Sequence, residues 1–96
     1  MNSILRTLAF AEWFGALRDL RAKARINARI AAAAAGNFGD CQPVGDGVSE
    51  MRIAFGPGYR VYFKRSGGVV YVLLCGGDKS TQAKDIRKAI AMAKEL

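Results

Sequence analysis

The sequence has no histidine and only two cysteines among its 96 residues. Without histidine, the Ser-His-Asp and Cys-His mechanisms of nucleophilic catalysis are excluded. Cys41 and Cys75 are too few for a disulfide framework, and they lack the spacing of zinc ligands. We therefore expect no metal and no other cofactor, and we expect both thiols to be reduced in a cytoplasmic protein.

Long apolar runs and acidic residues are also scarce. The longest apolar stretches, residues 30–35 and 69–75, are much shorter than the roughly 20 residues that cross a bilayer. The N-terminus lacks the pattern of a signal peptide, so neither export nor a membrane partner is expected.

Eight Asp and Glu residues stand against 15 Lys and Arg residues, a formal net charge of +7. This excess favours phosphate, and hence nucleic acid, as a partner, although a protein can also be merely basic.

The spacing of apolar residues predicts one α+β domain over residues 1–96, with the element order β-α-α-β-β-β-α. The expected elements are a short strand around Ile4, a helical hairpin over residues 10–35, strands over residues 48–55, 59–65 and 69–75, and a C-terminal helix from about Ala83. Gly, Asp, Pro and Asn cluster in residues 37–47, which predicts a loop, and residues 76–78 are expected to break the last strand. Because that strand is continuously apolar, we expect it inside the sheet and covered on both faces.

Basic residues form a stripe in the helical hairpin. Arg18, Arg21, Arg25 and Arg29 recur at spacings of three and four, which places them on one helix face. The stripe is expected to bind RNA, including rRNA, or an acidic protein segment, and its alternative interpretation is an ordinary solvated helix face.

Polar and charged side chains alternate along the two strands of the central hairpin. One sheet face, expected to be open, carries Glu50, Arg52, Arg60, Tyr62 and Lys64. Lys79 follows the last strand at the start of a helix, where free backbone N–H groups also favour an anion. This surface can hold a phosphodiester and stabilise the charge that grows when a 2′-hydroxyl attacks it. The alternative is a solvated face whose ion pairs have little consequence.

Several motifs occur in a defined order along the chain. They are Gly36-Asn37-Phe38-Gly39-Asp40, Glu50-Met51-Arg52-Ile53, Gly56-Pro57-Gly58-Tyr59-Arg60-Val61-Tyr62-Phe63 and Gly76-Gly77-Asp78-Lys79-Ser80-Thr81-Gln82. On these motifs the chain resembles the addiction-module killer proteins, a HigB-like branch of the RelE/ParE toxin superfamily. The resemblance covers nearly the whole chain.

This resemblance implies a compact RelE-like fold, with an antiparallel-rich sheet on which the helical hairpin and the C-terminal helix pack. It also implies a toxin of a type II toxin-antitoxin system, which forms an oligomer with a cognate antitoxin protein. RelE-like members cut mRNA, commonly on the ribosome, whereas ParE-like members block DNA gyrase without cutting RNA. The fold does not choose between the two.

The resemblance also assigns roles to residues. Arg60 matches an arginine that contacts the scissile phosphate in RelE-like nucleases, Arg52 lies near a basic position of the preceding strand, and Lys79 follows the last strand, where further catalytic residues lie. Because histidine is absent, Tyr62 or Lys79 has to supply proton transfer. We also expect the four arginines of the helical hairpin, together with Lys64 and Lys84, to bind RNA. Glu50 and Gln82 are expected to support the catalytic residues.

Overall fold

A computed structural model describes all residues, 1–96, and contains one five-stranded sheet. The elements are β1 (Ser3–Arg6), α1 (Leu8–Ala16), α2 (Leu20–Ala34), β2 (Cys41–Gly45), β3 (Val48–Ile53), β4 (Tyr59–Arg65), β5 (Val70–Asp78), a 3-10 turn (Lys79–Thr81) and α3 (Gln82–Ala93). The strand order is β1-β5-β4-β3-β2, with β1 parallel to β5 and every other pair antiparallel. The predicted α+β class and antiparallel-rich sheet are therefore confirmed. None of the helices is both long and apolar enough to span a membrane.

The two helices of the predicted hairpin begin at side-chain caps. The Thr7 hydroxyl accepts the backbone N–H of Phe10, and Asp19 accepts those of Arg21 and Ala22. Such caps satisfy N–H groups that have no partner within a helix. The turn between the helices covers residues 17–19, so Arg18 lies outside both of them.

Each face of the sheet is covered by helix. On one face, α1 and α2 contribute Phe10, Ile26, Ile30 and Ala33 to a core that also contains Met51, Ile53, Val61, Phe63 and Leu73. On the other face, α3 packs Ala89 and Ala93 against Val48, Tyr62, Val72, Leu74 and Cys75. The prediction that β5 lies inside the sheet and is covered on both faces is confirmed.

The prediction of a loop over residues 37–47 is wrong in part, because Cys41–Gly45 forms β2 at one edge of the sheet. Pro43 and Gly45 are turn-like residues, which hid the strand in the sequence. An edge strand tolerates Pro, since its outward N–H group needs no partner. The chain therefore has one strand more than the predicted order.

The prediction that residues 76–78 break the last strand is also wrong, because β5 runs through them to Asp78. Gly76 and Gly77 have no side chain, which leaves room for larger side chains to pack against the strand. A Cβ on Gly76 would lie 2.2 Å from Cε3 of Trp13, and one on Gly77 would lie 1.9 Å from Oδ2 of Asp85. The two glycines let α1 and α3 approach opposite faces of the same strand.

Candidate functional site

An open cavity of about 490 Å³ lies at the end of β3 and β4 that leads into the loop of residues 54–58. It is lined by Asp40, Arg52, Ala54, Phe55, Gly56, Pro57, Gly58, Arg60 and Lys79. Three of the four predicted catalytic residues, Arg52, Arg60 and Lys79, therefore meet in one cavity.

Arg52 and Arg60 lie directly opposite each other on β3 and β4. Like charges at such positions repel and destabilise the strand pair. Each arginine has a carboxylate beside it: Asp40 forms an ion pair with Arg52, and Glu50 lies 3.8 Å from Arg60. An anion bound between the two guanidinium groups would be attracted by both, so the arrangement is suited to phosphate.

The Arg60 side chain is only 12% exposed and is held in place by the loop before β4. Its Nη1 donates to the carbonyl oxygens of Gly58 (3.0 Å) and Tyr59 (3.1 Å). Gly58 has φ +80°, and a Cβ there would lie 3.4 Å from Nη1 of Arg60 and 3.5 Å from Cβ of Lys79. These are ordinary van der Waals distances, so it is the positive φ, and not a lack of space, that favours glycine at this position.

Asp40 is a site residue that the sequence reasoning missed, although it ends the first of the family-like motifs. Its Oδ1 accepts hydrogen bonds from Nε (3.2 Å) and Nη2 (2.7 Å) of Arg52. Chiefly through this hydrogen bond, the guanidinium lowers the pKa of Asp40, and the carboxylate raises the pKa of Arg52. Both bonds reach Oδ1, which leaves Oδ2 available to another partner.

The prediction that Tyr62 and Glu50 lie on an open face is wrong, because α3 covers this part of the sheet and both residues are fully buried. The Tyr62 hydroxyl donates to Oε2 of Glu50 (3.1 Å), and Nε2 of Gln82 donates to the same oxygen (2.7 Å). Burial, followed by the Glu50 charge, raises the pKa of Tyr62 far above its ordinary value. Tyr62 does not line the cavity. The buried Glu50 and the half-buried Gln82 instead form a polar network behind Arg60.

The structure corrects the prediction that four arginines share one exposed face. Arg21 and Arg25 are exposed on α2, and Arg18 lies in the turn before it. Arg29 is half-buried, and its guanidinium donates to the backbone carbonyls of Arg52, Phe38 and Asp40. Arg29 therefore fixes the segment before β2 against β3, and its hydrogen bonds leave it poorly placed to bind RNA.

The other predicted basic contacts lie away from the cavity. Lys64 pairs with Val48 at the opposite end of the β3–β4 ladder from Arg52, and Lys84 is exposed on α3. The expected free N–H groups near Lys79 are partly used, because Ser80 N–H donates to Oδ1 of Asp78 (2.8 Å). Hydrogen bonds from Ser80 are also the main cause of the lowered pKa of Asp78. No group of three or more Cys, Asp or Glu side chains is arranged to hold a metal ion.

The chain is similar to a protein of known sequence over nearly its whole length. An uncharacterized protein of Haemophilus influenzae is 57% identical over 93 residues, which cover 97% of this chain and 94% of the relative. No family model matches the sequence. No solved structure matches it either.

Proposed function

The chain belongs to the same family as this Haemophilus influenzae protein, and we propose that it is the toxin of a type II toxin-antitoxin system, acting as a metal-independent endoribonuclease on mRNA. The observation that carries the proposal is the meeting of Arg52, Arg60 and Lys79 in one open cavity. The resemblance to RelE-like nucleases assigned roles to the same three residues.

In the proposed reaction, the scissile phosphodiester lies between Arg52 and Arg60. The 2′-oxygen forms a bond to phosphorus while the bond from phosphorus to the 5′-oxygen breaks, giving a 2′,3′-cyclic phosphate and a 5′-hydroxyl. The two guanidinium groups stabilise the negative charge that grows on the phosphate oxygens. Both are positioned before the substrate binds: backbone carbonyls hold Arg60, and Asp40 holds Arg52.

Proton transfer requires a base and an acid in the same cavity. We assign the base to Oδ2 of Asp40, which takes the proton of the 2′-hydroxyl, and the acid to Lys79, which gives a proton to the leaving 5′-oxygen. Lys79 is exposed and forms no hydrogen bond through its ammonium group, so it is free to reach the substrate. Tyr62 is excluded from this step by its burial.

A cognate antitoxin protein and the ribosome are the proposed macromolecular partners. The net charge of +7 favours an antitoxin with an acidic segment that covers the cavity. Co-expression with the neighbouring gene of the native operon, followed by affinity purification of the toxin, is expected to yield one small co-purifying protein and to restore growth.

The second candidate function is a gyrase-binding toxin that performs no chemistry. The observation that favours it is the small number of proton-transfer groups in the cavity, with no histidine in the chain and Tyr62 buried. In that case the cationic surface would serve only to bind a partner.

A matched pair of lysine variants tests the proposal. Lys79→Gln removes a charge from the cavity, and Lys84→Gln removes the same charge from an exposed position on α3. After brief expression, primer extension on cellular mRNA is expected to show cuts with the wild type and Lys84→Gln, and few or none with Lys79→Gln. Normal DNA supercoiling should accompany the cuts. DNA damage without any cut would favour the gyrase-binding alternative.

A further inference from the structure

A second cavity, of about 420 Å³, lies against α2 beside the cavity described above. It is lined by Arg21, Ala24, Arg25, Ala28 and Phe55. Phe55 also lines the first cavity, so one aromatic ring forms a wall of both. The two cavities are therefore neighbouring parts of one surface.

Phe55 is a half-buried ring on a well-fixed piece of backbone. Its N–H donates to the carbonyl of Ile53 (2.9 Å), and its carbonyl accepts the N–H of Gly58 (3.1 Å). The ring also packs at the margin of the core beneath α1 and α2. On the α2 side, Cζ of Arg25 lies 4.9 Å from the ring centroid. A stacked arginine and aromatic ring thus stand at the border between the cavities.

The second cavity is cationic and apolar, and no carboxylate lines it. Arg21 and Arg25 are both exposed, and neither forms an ion pair. Single-stranded RNA presents alternating phosphates and flat bases, which bind arginines and stack on aromatic rings or guanidinium planes. An acidic protein segment would use the two arginines but has no comparable use for a stacking platform.

We propose that this second cavity is a base-binding subsite for single-stranded RNA. The base adjoining the scissile phosphate stacks on the Phe55–Arg25 pair, and the next phosphate along the strand lies near Arg21. The inference rests on the proposed function, because it takes the scissile phosphate to lie between Arg52 and Arg60. It assigns Phe55 a role in positioning the substrate, outside the chemistry itself.

The test measures binding of a short 2′-O-methyl RNA, which cannot be cut for lack of a free 2′-hydroxyl, by fluorescence anisotropy at fixed salt. In a series of oligonucleotides with the same number of phosphates, each lacks one base. The abasic position moves by one nucleotide from each oligonucleotide to the next. Wild-type protein is expected to lose on the order of 10-fold in affinity when one particular base is missing. Phe55→Leu should bind intact and abasic RNA equally, with unchanged affinity for the abasic form, and Phe55→Trp should restore the difference.

Leucine keeps an apolar side chain against the core, and a thermal melt of each variant checks that it is folded. Equal binding of intact and abasic RNA by the wild type would overturn the inference, as would an equal loss for both ligands in Phe55→Leu. If either of these results is found but Lys79→Gln still weakens RNA binding and abolishes cleavage, the proposed function stands without the subsite. Failure of any RNA to bind would overturn the inference, whereas the proposed function falls only if primer extension on cellular mRNA also shows no cuts.

Discussion

Nε of Arg60 lies 3.8 Å from Oε1 of Glu50, and neither of these buried atoms has a hydrogen-bond partner within the protein. The other oxygen of Glu50 accepts two hydrogen bonds, from Tyr62 and Gln82. Glu50 therefore connects the interior beneath α3 to the guanidinium that lines the cavity. The buried carboxylate thus places a counter-charge behind Arg60, which itself lines the cavity.

Breaking this pair from one side is expected to destabilise the protein. Arg60→Gln leaves the Glu50 carboxylate buried without an opposite charge, which costs about 3 kcal/mol in the free energy of unfolding. The double variant Glu50→Gln/Arg60→Gln removes both charges of the pair, so it should regain much of that stability while remaining unable to cleave RNA. Urea denaturation and primer extension measure the two properties. Additive losses in the double variant would show that the two residues are not coupled.

Tyr62→Phe tests the exclusion of the tyrosine hydroxyl from catalysis. The change removes one buried hydrogen bond to the Glu50 carboxylate, for which we expect a loss of about 2 kcal/mol in stability. RNA cleavage should remain at the wild-type rate at a temperature where both proteins are folded, because the hydroxyl does not reach the cavity. A folded Tyr62→Phe protein that no longer cleaves RNA would place the hydroxyl back in the reaction.

The sequence predicted which residues share a sheet face but not what covers that face. Alternation along β3 and β4 correctly grouped Arg52 with Arg60, since their strands pair in register. It could not show that α3 packs over the neighbouring part of the same face and buries Glu50 and Tyr62. The amphipathic pattern of α3 indicates that one side of the helix is buried, whereas the choice of sheet face depends on tertiary packing.

Other features were hidden because their residues resemble those of loops. Pro43 and Gly45 concealed the edge strand β2, and Gly76 and Gly77 concealed the end of β5. Asp40 was missed because it precedes β2 and reaches Arg52 only after that strand pairs with β3. A contact of this kind is set by strand register, which spacing along the chain does not specify.

Asp40→Asn is expected to separate binding from cleavage. Loss of the carboxylate charge leaves the Arg52 guanidinium without its counter-charge, so RNA should bind more tightly and with a steeper dependence on salt. Cleavage should nevertheless slow by about 10²-fold or more, because the proposed base is gone. Asp46→Asn is the matched control: it makes the same change in net charge in the β2–β3 turn, at the other end of that hairpin.

The pH dependence of RNA cleavage gives a second test of the role of Asp40. Because Arg52 lowers the pKa of Asp40, the carboxylate stays ionised until the pH falls below its ordinary value of 3.8. The wild-type cleavage rate should therefore show no acidic decline due to Asp40 between pH 7 and pH 5. A decline centred near pH 6 that disappears in Asp40→Asn would contradict the lowered pKa.

Gly76→Ala is expected to disturb the packing of α1 on the sheet. A Cβ at this position would lie 2.2 Å from Cε3 of Trp13 and 2.4 Å from Cζ3, distances at which the indole ring has to move. The ring also contacts Phe10 and Tyr59, with centroids 5.8 Å and 6.3 Å away, so its displacement spreads into the core. Overpacking of this kind costs about 1–3 kcal/mol, or a decrease in Tm of several degrees for a domain of this size.

Gly15→Ala is the control for the same chemical change. Gly15 lies within α1, and a Cβ there would meet nothing within 4 Å. Alanine should therefore stabilise the helix by up to about 1 kcal/mol, through its better helix propensity. Thermal unfolding followed by circular dichroism should thus shift in opposite directions for the two variants. A Gly76→Ala protein that melts at or above the wild-type temperature would mean that the Trp13 ring is not held against β5.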